Sequence, residues 1–153
     1  MSPQAGKKQR KLDRVAEENG VAIVVLDENS QEVSVSNNNS ICSALTASHE
    51  FRPRCAEFCG AAFQNTRSGD TFEYECYAGL TCKAIPVADG GKQFVAILGR
   101  IFTEAEQYRR ATDLAISGDW AGFPPNEFFG NVLIAGAGSK IDNAAKELSR
   151  FRA

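Results

Sequence analysis

Five cysteines are the residues of this chain whose types and spacing could do chemistry. They lie within a 41-residue window of the 153-residue sequence, and neither flank of that window holds another cysteine. Thiols gathered in this way form disulfides, bind a metal or an iron–sulfur cluster, or line one pocket as small buried side chains. The five are Cys42, Cys55, Cys59, Cys76 and Cys82.

The cellular compartment in which the protein is expected to work helps to choose among these explanations for the thiols. The N-terminal segment has no apolar stretch of signal-peptide type, and the longest apolar run, 21–26, is far too short for a membrane span. We therefore expect a cytoplasmic protein with no membrane partner, in which thiols stay reduced. The odd number of cysteines also argues against a disulfide framework.

A metal or cluster site is the first hypothesis for the thiols. Four thiolates suit zinc or an iron–sulfur cluster, and Cys55 and Cys59 share one face of a predicted helix at i, i+4. The predicted ligands are Cys42, Cys55, Cys59 and Cys76, with Cys82 as a substitute. The spacings match no compact zinc ribbon, so buried pocket thiols and a redox disulfide pair stay open.

An organic ligand is the second hypothesis. Aromatic and apolar side chains surround the predicted sheet near the cysteines, and an apolar pocket with a few polar groups is typical of small-molecule sites. Core packing is the alternative for each of these side chains. The predicted ligand-binding residues are Phe58, Phe63, Tyr74, Cys76 and Leu80.

Catalysis has little support in the sequence. The sole histidine, His49, lies in a predicted loop before a proline, and Glu73 and Glu75 have the spacing of solvent-facing strand positions. We expect a protein that is not an enzyme, with a small cysteine-dependent enzyme as an alternative. A net charge of −2 gives no indication that the protein binds nucleic acid.

The predicted elements alternate in a way that defines a fold class. We expect a disordered basic tail over 1–8 and a single domain over 9–153. Hydrophobic periodicity predicts helices over 9–19, 41–47, 53–67 and 104–117, one long helix or two over 126–152, and strands over 21–27, 32–36, 71–77, 81–88 and 93–102. Ser40 and Thr103 are predicted helix caps, and Gly136 and Gly138 could break the last helix.

This order predicts an α+β domain with a five-stranded antiparallel sheet, helices on one face, and flanking N- and C-terminal helices. A hairpin, a helical segment and a three-stranded meander resemble PAS-like sensory folds. The flanking helices could cover the domain's own sheet or pair with a second copy.

A more specific resemblance lies around the cysteines. The string YECYAGLTCKAIPV, at 74–87, resembles the hallmark of the PocR-type sensory domain, in which a cysteine and one further residue precede Ala-Gly-Leu. NNNSIC, which ends at Cys42, and Arg54-Cys55 resemble two further signatures, and Gly99 on the last strand also fits.

Five positions depart from that family pattern. Tyr77 stands where the family often has histidine, and Leu98-Gly99-Arg100 replaces a frequent Gly-Gly-Gln. Cys59 and Cys82 are additions to the family's usual three cysteines.

The resemblance implies a bacterial or archaeal signal-transduction module that senses a small hydrocarbon derivative such as an alcohol or a diol. Its partner would be an output kinase or transcription-regulator region, in the same or another chain, reached through the flanking helices, and the domain could form a homodimer. The alternative from another class is a thiol-based redox or iron–sulfur switch without an organic ligand.

Overall fold

The computed structural model of the chain describes residues 3–134 and 139–149. The elements follow the predicted order of helix, hairpin, helices, meander and C-terminal helices. They are α1 (Pro3–Asn19), β1 (Ala22–Leu26), β2 (Glu32–Ser36), α2 (Ser40–Ala47), α3 (Arg52–Phe58), a 3₁₀ helix (Cys59–Ala61), α4 (Ala62–Asn65), β3 (Phe72–Glu75), β4 (Thr81–Asp89), β5 (Lys92–Ile101), α5 (Ala105–Ser117), α6 (Pro125–Phe128) and α7 (Ser139–Ser149).

The five strands form one antiparallel sheet in the order β2-β1-β5-β4-β3. β4 and β5 are joined by a two-residue turn, since Asp89 pairs with Lys92. The turn residues Gly90 and Gly91 have φ of 60° and 81°, which is the conformation of a type I′ hairpin turn. The predicted α+β class with a five-stranded antiparallel sheet is confirmed.

Helices cover both faces of this sheet. On one face, Val15 of α1 and Ile141 of α7 pack with Leu98 of β5 in one buried cluster. On the other face, Ala62 of α4 packs with Val24 and Ile97. The flanking helices therefore bury their apolar stripes against the domain's own sheet, which was one of the two arrangements that the sequence left open.

The N-terminal helix begins earlier than expected. α1 starts at Pro3, so the predicted disordered tail over 1–8 is wrong for residues 3–8. Proline is well tolerated in a first helical turn, and the following alanine, lysines and glutamine are good helix formers. Lys8 Nζ also lies 2.8 Å from Asp89 Oδ2 at the end of β4, an exposed contact between this part of the helix and the sheet.

The helix predicted over 53–67 is broken into three pieces. Phe58 has φ −105° and ψ −80°, and a 3₁₀ helix over Cys59–Ala61 separates α3 from α4. Gly60 weakens a continuous helix here, and the break lets the fully buried Ala62 reach the sheet.

The two predicted caps are each displaced by one residue. Asn39, rather than Ser40, caps α2, because its Oδ1 accepts a hydrogen bond of 2.9 Å from the Ile41 backbone N–H. Glu104, rather than Thr103, is the N-cap of α5, and the buried Gln107 side chain accepts from the Glu104 backbone N–H at 3.2 Å. Gly136 and Gly138 lie outside the described residues.

Candidate functional site

A β-bulge in the central strand positions the one basic side chain among the described residues that line the site. Thr81 pairs with Ile101 and Cys82 with Gly99, so Arg100 has no counterpart on β4. Gly99 and Arg100 have positive φ, 111° and 53°. The extra residue breaks the two-residue alternation, so that Leu98 and Ile101 both face the flanking helices while Arg100 faces the opposite side.

The asparagine-rich turn before α2 holds this bulge. Asn39 Nδ2 donates a hydrogen bond of 2.9 Å to the Arg100 carbonyl oxygen. Asn38 Oδ1 accepts a hydrogen bond of 2.8 Å from Arg100 Nη1. Asn131 Nδ2 in turn donates to the Asn38 carbonyl oxygen at 2.8 Å. The motif that ends at Cys42 therefore orients both the backbone and the guanidinium of Arg100.

The Arg100 side chain enters a cavity of about 30 Å³ between α2, α3 and the sheet. α2 contributes Cys42, α3 contributes Cys55, and Cys59 follows at the helix break. Cys76 belongs to the turn between β3 and β4, in which its backbone N–H donates to the Leu80 carbonyl oxygen at 3.0 Å. The remaining lining residues are Leu45, Thr46, Phe58, Tyr77, Ala78 and Leu80.

Tyr77 forms the wall of the cavity next to α3. Its ring centroid lies 6.0 Å from that of Phe58, and the guanidinium carbon of Arg54 lies 5.1 Å from the ring. Its hydroxyl is 3.4 Å from Cys55 Sγ and 3.4 Å from the Phe51 carbonyl oxygen. The tyrosine thus covers the cavity at the position where the family often has histidine.

Cys59 has the most unusual electrostatic environment of the five thiols. A hydrogen bond with Cys82 is the main reason that the pKa of Cys59 falls to about 5, and the positive charge of Arg100 and a hydrogen bond with Tyr74 add to it. Burial of Cys59 acts in the opposite direction but is outweighed. Cys59 is therefore a thiolate at neutral pH.

The other four thiols stay protonated. The hydrogen bond with Cys59 and burial raise the pKa of Cys82 well above its ordinary value. Burial raises the pKa of Cys76 to about 11 and is also the main cause that raises the pKa of Cys42 and Cys55. The site thus combines one guanidinium, one thiolate and four neutral thiols.

The five predicted ligand-binding residues lie at different places relative to the cavity. Phe58, Cys76 and Leu80 line the cavity. Tyr74 reaches the site through Cys59, whose Sγ lies 3.0 Å from the tyrosine hydroxyl. Phe63 packs instead against the buried cluster that contains Ala62, beside the sheet.

Sequence reasoning missed Arg100 and Tyr77 as site residues. Their signal was available, since both are departures from the family pattern. The two additional cysteines fall in the same place, because Cys59 lines the cavity and packs against the buried cluster that contains Cys82. Four of the five departures therefore meet at one site, while Leu98 lies on the opposite face of the sheet.

The predicted metal ligands Cys42, Cys55, Cys59 and Cys76 all line this cavity. Within residues 3–134 and 139–149, however, no three cysteine, histidine, aspartate or glutamate side chains are grouped so that they could hold one ion. As placed, the thiols do not fit a zinc or cluster site. His49 is exposed, with its Nδ1 2.9 Å from Arg52 Nη2, in the turn before α3.

A larger hollow of about 520 Å³ lies on the opposite face of the sheet, beside α1. Leu12, Val25, Val87 and Leu148 are among its aliphatic lining residues. The charged residues at its rim, Lys8 among them, are exposed, and its half-buried polar residues Gln9 and Ser34 are hydrogen-bonded to each other.

The strand order, the helices between β2 and β3, and the cavity beneath those helices define an α+β domain with one antiparallel sheet. The chain belongs to the family described as the sensory domain found in PocR, whose family model matches residues 6–119. No curated protein matches the chain. In the described part of the chain, no helix has both the length and the apolar composition needed to cross a membrane.

Proposed function

We propose that this domain senses a small hydrocarbon derivative, of the size of a short alcohol or diol, which binds in the cysteine-lined cavity. It acts as a sensor rather than as an enzyme. The observation that carries the proposal is the buried Arg100 side chain, which lines a cavity with mostly apolar walls. Apolar walls with a few polar groups are typical of small-molecule sites.

The size of the cavity limits the ligand. A cavity needs roughly 10–15 Å³ to hold one water molecule, so 30 Å³ suits a ligand of a few non-hydrogen atoms. Leu45, Phe58 and Leu80 would contact its carbon atoms, and Arg100 would donate to its oxygen.

The bulge offers a route from the cavity to the flanking helices. A Cβ atom on Gly99 would lie 2.9 Å from Ile141 Cδ1, so the backbone next to Arg100 is in close contact with α7. A ligand that moves Arg100 would therefore also move the backbone of Gly99, against which Ile141 of α7 packs. In this proposal, α7 and α1 pass the change to an output kinase or transcription-regulator region, in the same or another chain, or to a second copy in a homodimer.

Thermal-shift and calorimetric titrations with two- and three-carbon alcohols, diols and acids test this proposal. A ligand that binds the folded state raises the melting temperature by mass action. Cys42→Met would place a flexible side chain in the cavity and abolish the response. Ala47→Met, at the exposed end of the same helix, is the matched control and keeps it. The absence of any saturable response in the folded wild-type protein would refute the proposal.

A thiol-based redox switch is the second candidate function, and the packing of Cys59 against the buried cluster that contains Cys82 favours it. Low-pKa thiolates next to a second thiol are typical of redox-sensing cysteines. With hydrogen peroxide as oxidant, the Cys59 thiolate would attack one peroxide oxygen and break the O–O bond, giving a sulfenic acid and hydroxide, which takes a proton from solvent to become water. The Cys82 thiol would then form the disulfide with loss of a second water.

Intact-mass analysis after peroxide treatment tests this candidate. The wild-type protein should lose the mass of two hydrogen atoms and gain an internal disulfide between Cys59 and Cys82. Cys82→Ser should stop at the sulfenic acid, which dimedone traps. Peptide mapping that finds these two thiols reduced after the other thiols have oxidised would refute it.

The zinc or iron–sulfur hypothesis stays a prediction. Metal analysis of protein purified without oxygen tests it directly. A stoichiometric amount of zinc or iron that is lost in Cys76→Ser would support it, and protein free of both metals would contradict it.

A further inference from the structure

The buried guanidinium of Arg100 is incompletely paired. Arg100 is only 2 % exposed, and its Nη1 donates to Asn38. Its Nε atom is buried and has no hydrogen-bond partner among the described residues. Buried polar atoms without partners are rare, because the desolvation cost is not recovered. Arg100 lines the cavity, so this unpaired Nε–H is a donor that a group held beside Arg100 could satisfy.

It is also unusual for a charged side chain to be buried as deeply as Arg100 without a carboxylate partner. No aspartate or glutamate in the described residues forms an ion pair with it. The charged forms with which it interacts most strongly belong to Cys42, Cys59, Cys82 and Tyr74. Of these, only the Cys59 thiolate is available at neutral pH. A sulfur anion compensates the charge, but it leaves the Nε–H without a partner.

A carboxylate oxygen would supply the missing acceptor. It accepts more strongly from a guanidinium than an alcohol oxygen does, because the hydrogen bond then joins two charged groups. Asn39 holds the Arg100 carbonyl and Asn38 holds Nη1, so the donor is oriented before a ligand arrives. The apolar walls made by Leu45 and Leu80 suit a short alkyl chain.

We infer that the ligand of this cavity is a short aliphatic monocarboxylate, held by the guanidinium of Arg100 with its alkyl chain against the apolar walls. This inference rests on the proposed function and narrows its ligand from hydrocarbon derivatives in general to anions. In this inference, Arg100 determines which class of ligand the chain binds. Arg100 stands where the family pattern frequently has glutamine.

Calorimetric titration of the full chain with propionate and 1-propanol compares two ligands of the same chain length. A charge-assisted hydrogen bond at a buried site should make propionate bind roughly 10- to 100-fold more tightly than 1-propanol. Arg100→Gln, which keeps a donor without charge, should remove this difference. Arg110→Gln, on the exposed side of α5, is the matched control and should keep it.

A direct spectroscopic readout covers the case in which Arg100→Gln does not fold. The Nε–H resonance of Arg100 in the wild-type protein should move on saturation with propionate and stay in place with sodium sulfate as a general anion control. Cys59→Ser removes the competing thiolate and should tighten propionate binding.

The outcomes separate the two proposals. Equal or tighter binding of 1-propanol would overturn the inference and leave the proposed function standing. An unchanged propionate preference in folded Arg100→Gln would also overturn it. If neither ligand class binds to the folded protein, the proposed function fails together with the inference.

Discussion

The hydroxyl oxygen of Tyr74 lies 3.0 Å from the Sγ atom of Cys59, and the two residues come from opposite sides of the site. Tyr74 stands on β3, directly opposite Cys82 on β4, while Cys59 follows the break after α3. Burial raises the pKa of Tyr74, so its hydroxyl stays protonated and can donate to the thiolate. The sheet and the broken helix thus stabilise one anion together.

Alkylation of Cys59 should show the pH dependence that this contact implies. Partners that stabilise the thiolate lower its pKa, so the rate should rise with a midpoint near pH 5 and then stay level to pH 8. Tyr74→Phe and Arg100→Gln each remove a stabilising partner and should move the midpoint upward. Iodoacetamide labelling with peptide mass spectrometry measures this. A wild-type midpoint above pH 8 would contradict it.

Gly99→Ala should destabilise the domain strongly. A Cβ at this position would lie 2.6 Å from the Thr81 carbonyl oxygen, and φ is +111°, which disfavours alanine. Strain and overpacking together should lower the free energy of unfolding by roughly 2–4 kcal/mol. Urea denaturation measures the change. Gly122→Ala is the control, since no atom lies within 4 Å of its Cβ position. Equal stability of the two variants would show that the bulge is not tightly packed.

Asn39→Ala should lower the free energy of unfolding by roughly 2–3 kcal/mol, because it removes the cap of α2 and leaves the Arg100 carbonyl without its buried donor. Denaturation curves measured beside the exposed Asn65→Ala give the comparison. A loss no larger than that of the surface variant would mean that the turn does not hold the bulge.

Ile141→Ala should lower the free energy of unfolding by roughly 2–4 kcal/mol, since this side chain is only 4 % exposed between α7 and the sheet. Ile116→Ala, at a position that is 73 % exposed, should change little. Both curves should be the same at low and high protein concentration, because Ile141 packs within one chain. A concentration dependence lost in Ile141→Ala would instead place α7 in an interface between copies.

Much of the fold followed from local patterns in the sequence. The Gly90–Gly91 turn and the alternation of the strands specify the meander, and the i, i+4 spacing brought Cys55 and Cys59 to the same cavity. The helix break after Phe58 was not predicted, because the helical pattern continues through it and tertiary contacts of Ala62 decide where the chain turns.

The site was predicted only in part, for a related reason. Periodicity assigns a strand residue to one face or the other, and it places Arg100 wrongly unless the bulge is known. The bulge depends on Gly99, on the partner strand and on Asn39, which lies 61 residues away from Arg100. The four thiols predicted as metal ligands do line one cavity. The direction in which each of these side chains points, however, depends on packing that the spacing in the sequence does not specify.

Amide chemical-shift mapping on ¹⁵N-labelled protein tests the central claim, that a small ligand binds in the cysteine-lined cavity. Titration with propionate, 1-propanol and ethane-1,2-diol should give saturable shifts at Cys42, Cys76 and Arg100 with at least one of them. Ile141 should respond at the same ligand concentration, and Cys42→Met should abolish the shifts. Saturable shifts confined to the hollow beside Leu12, or none with any of the three compounds, would contradict the account.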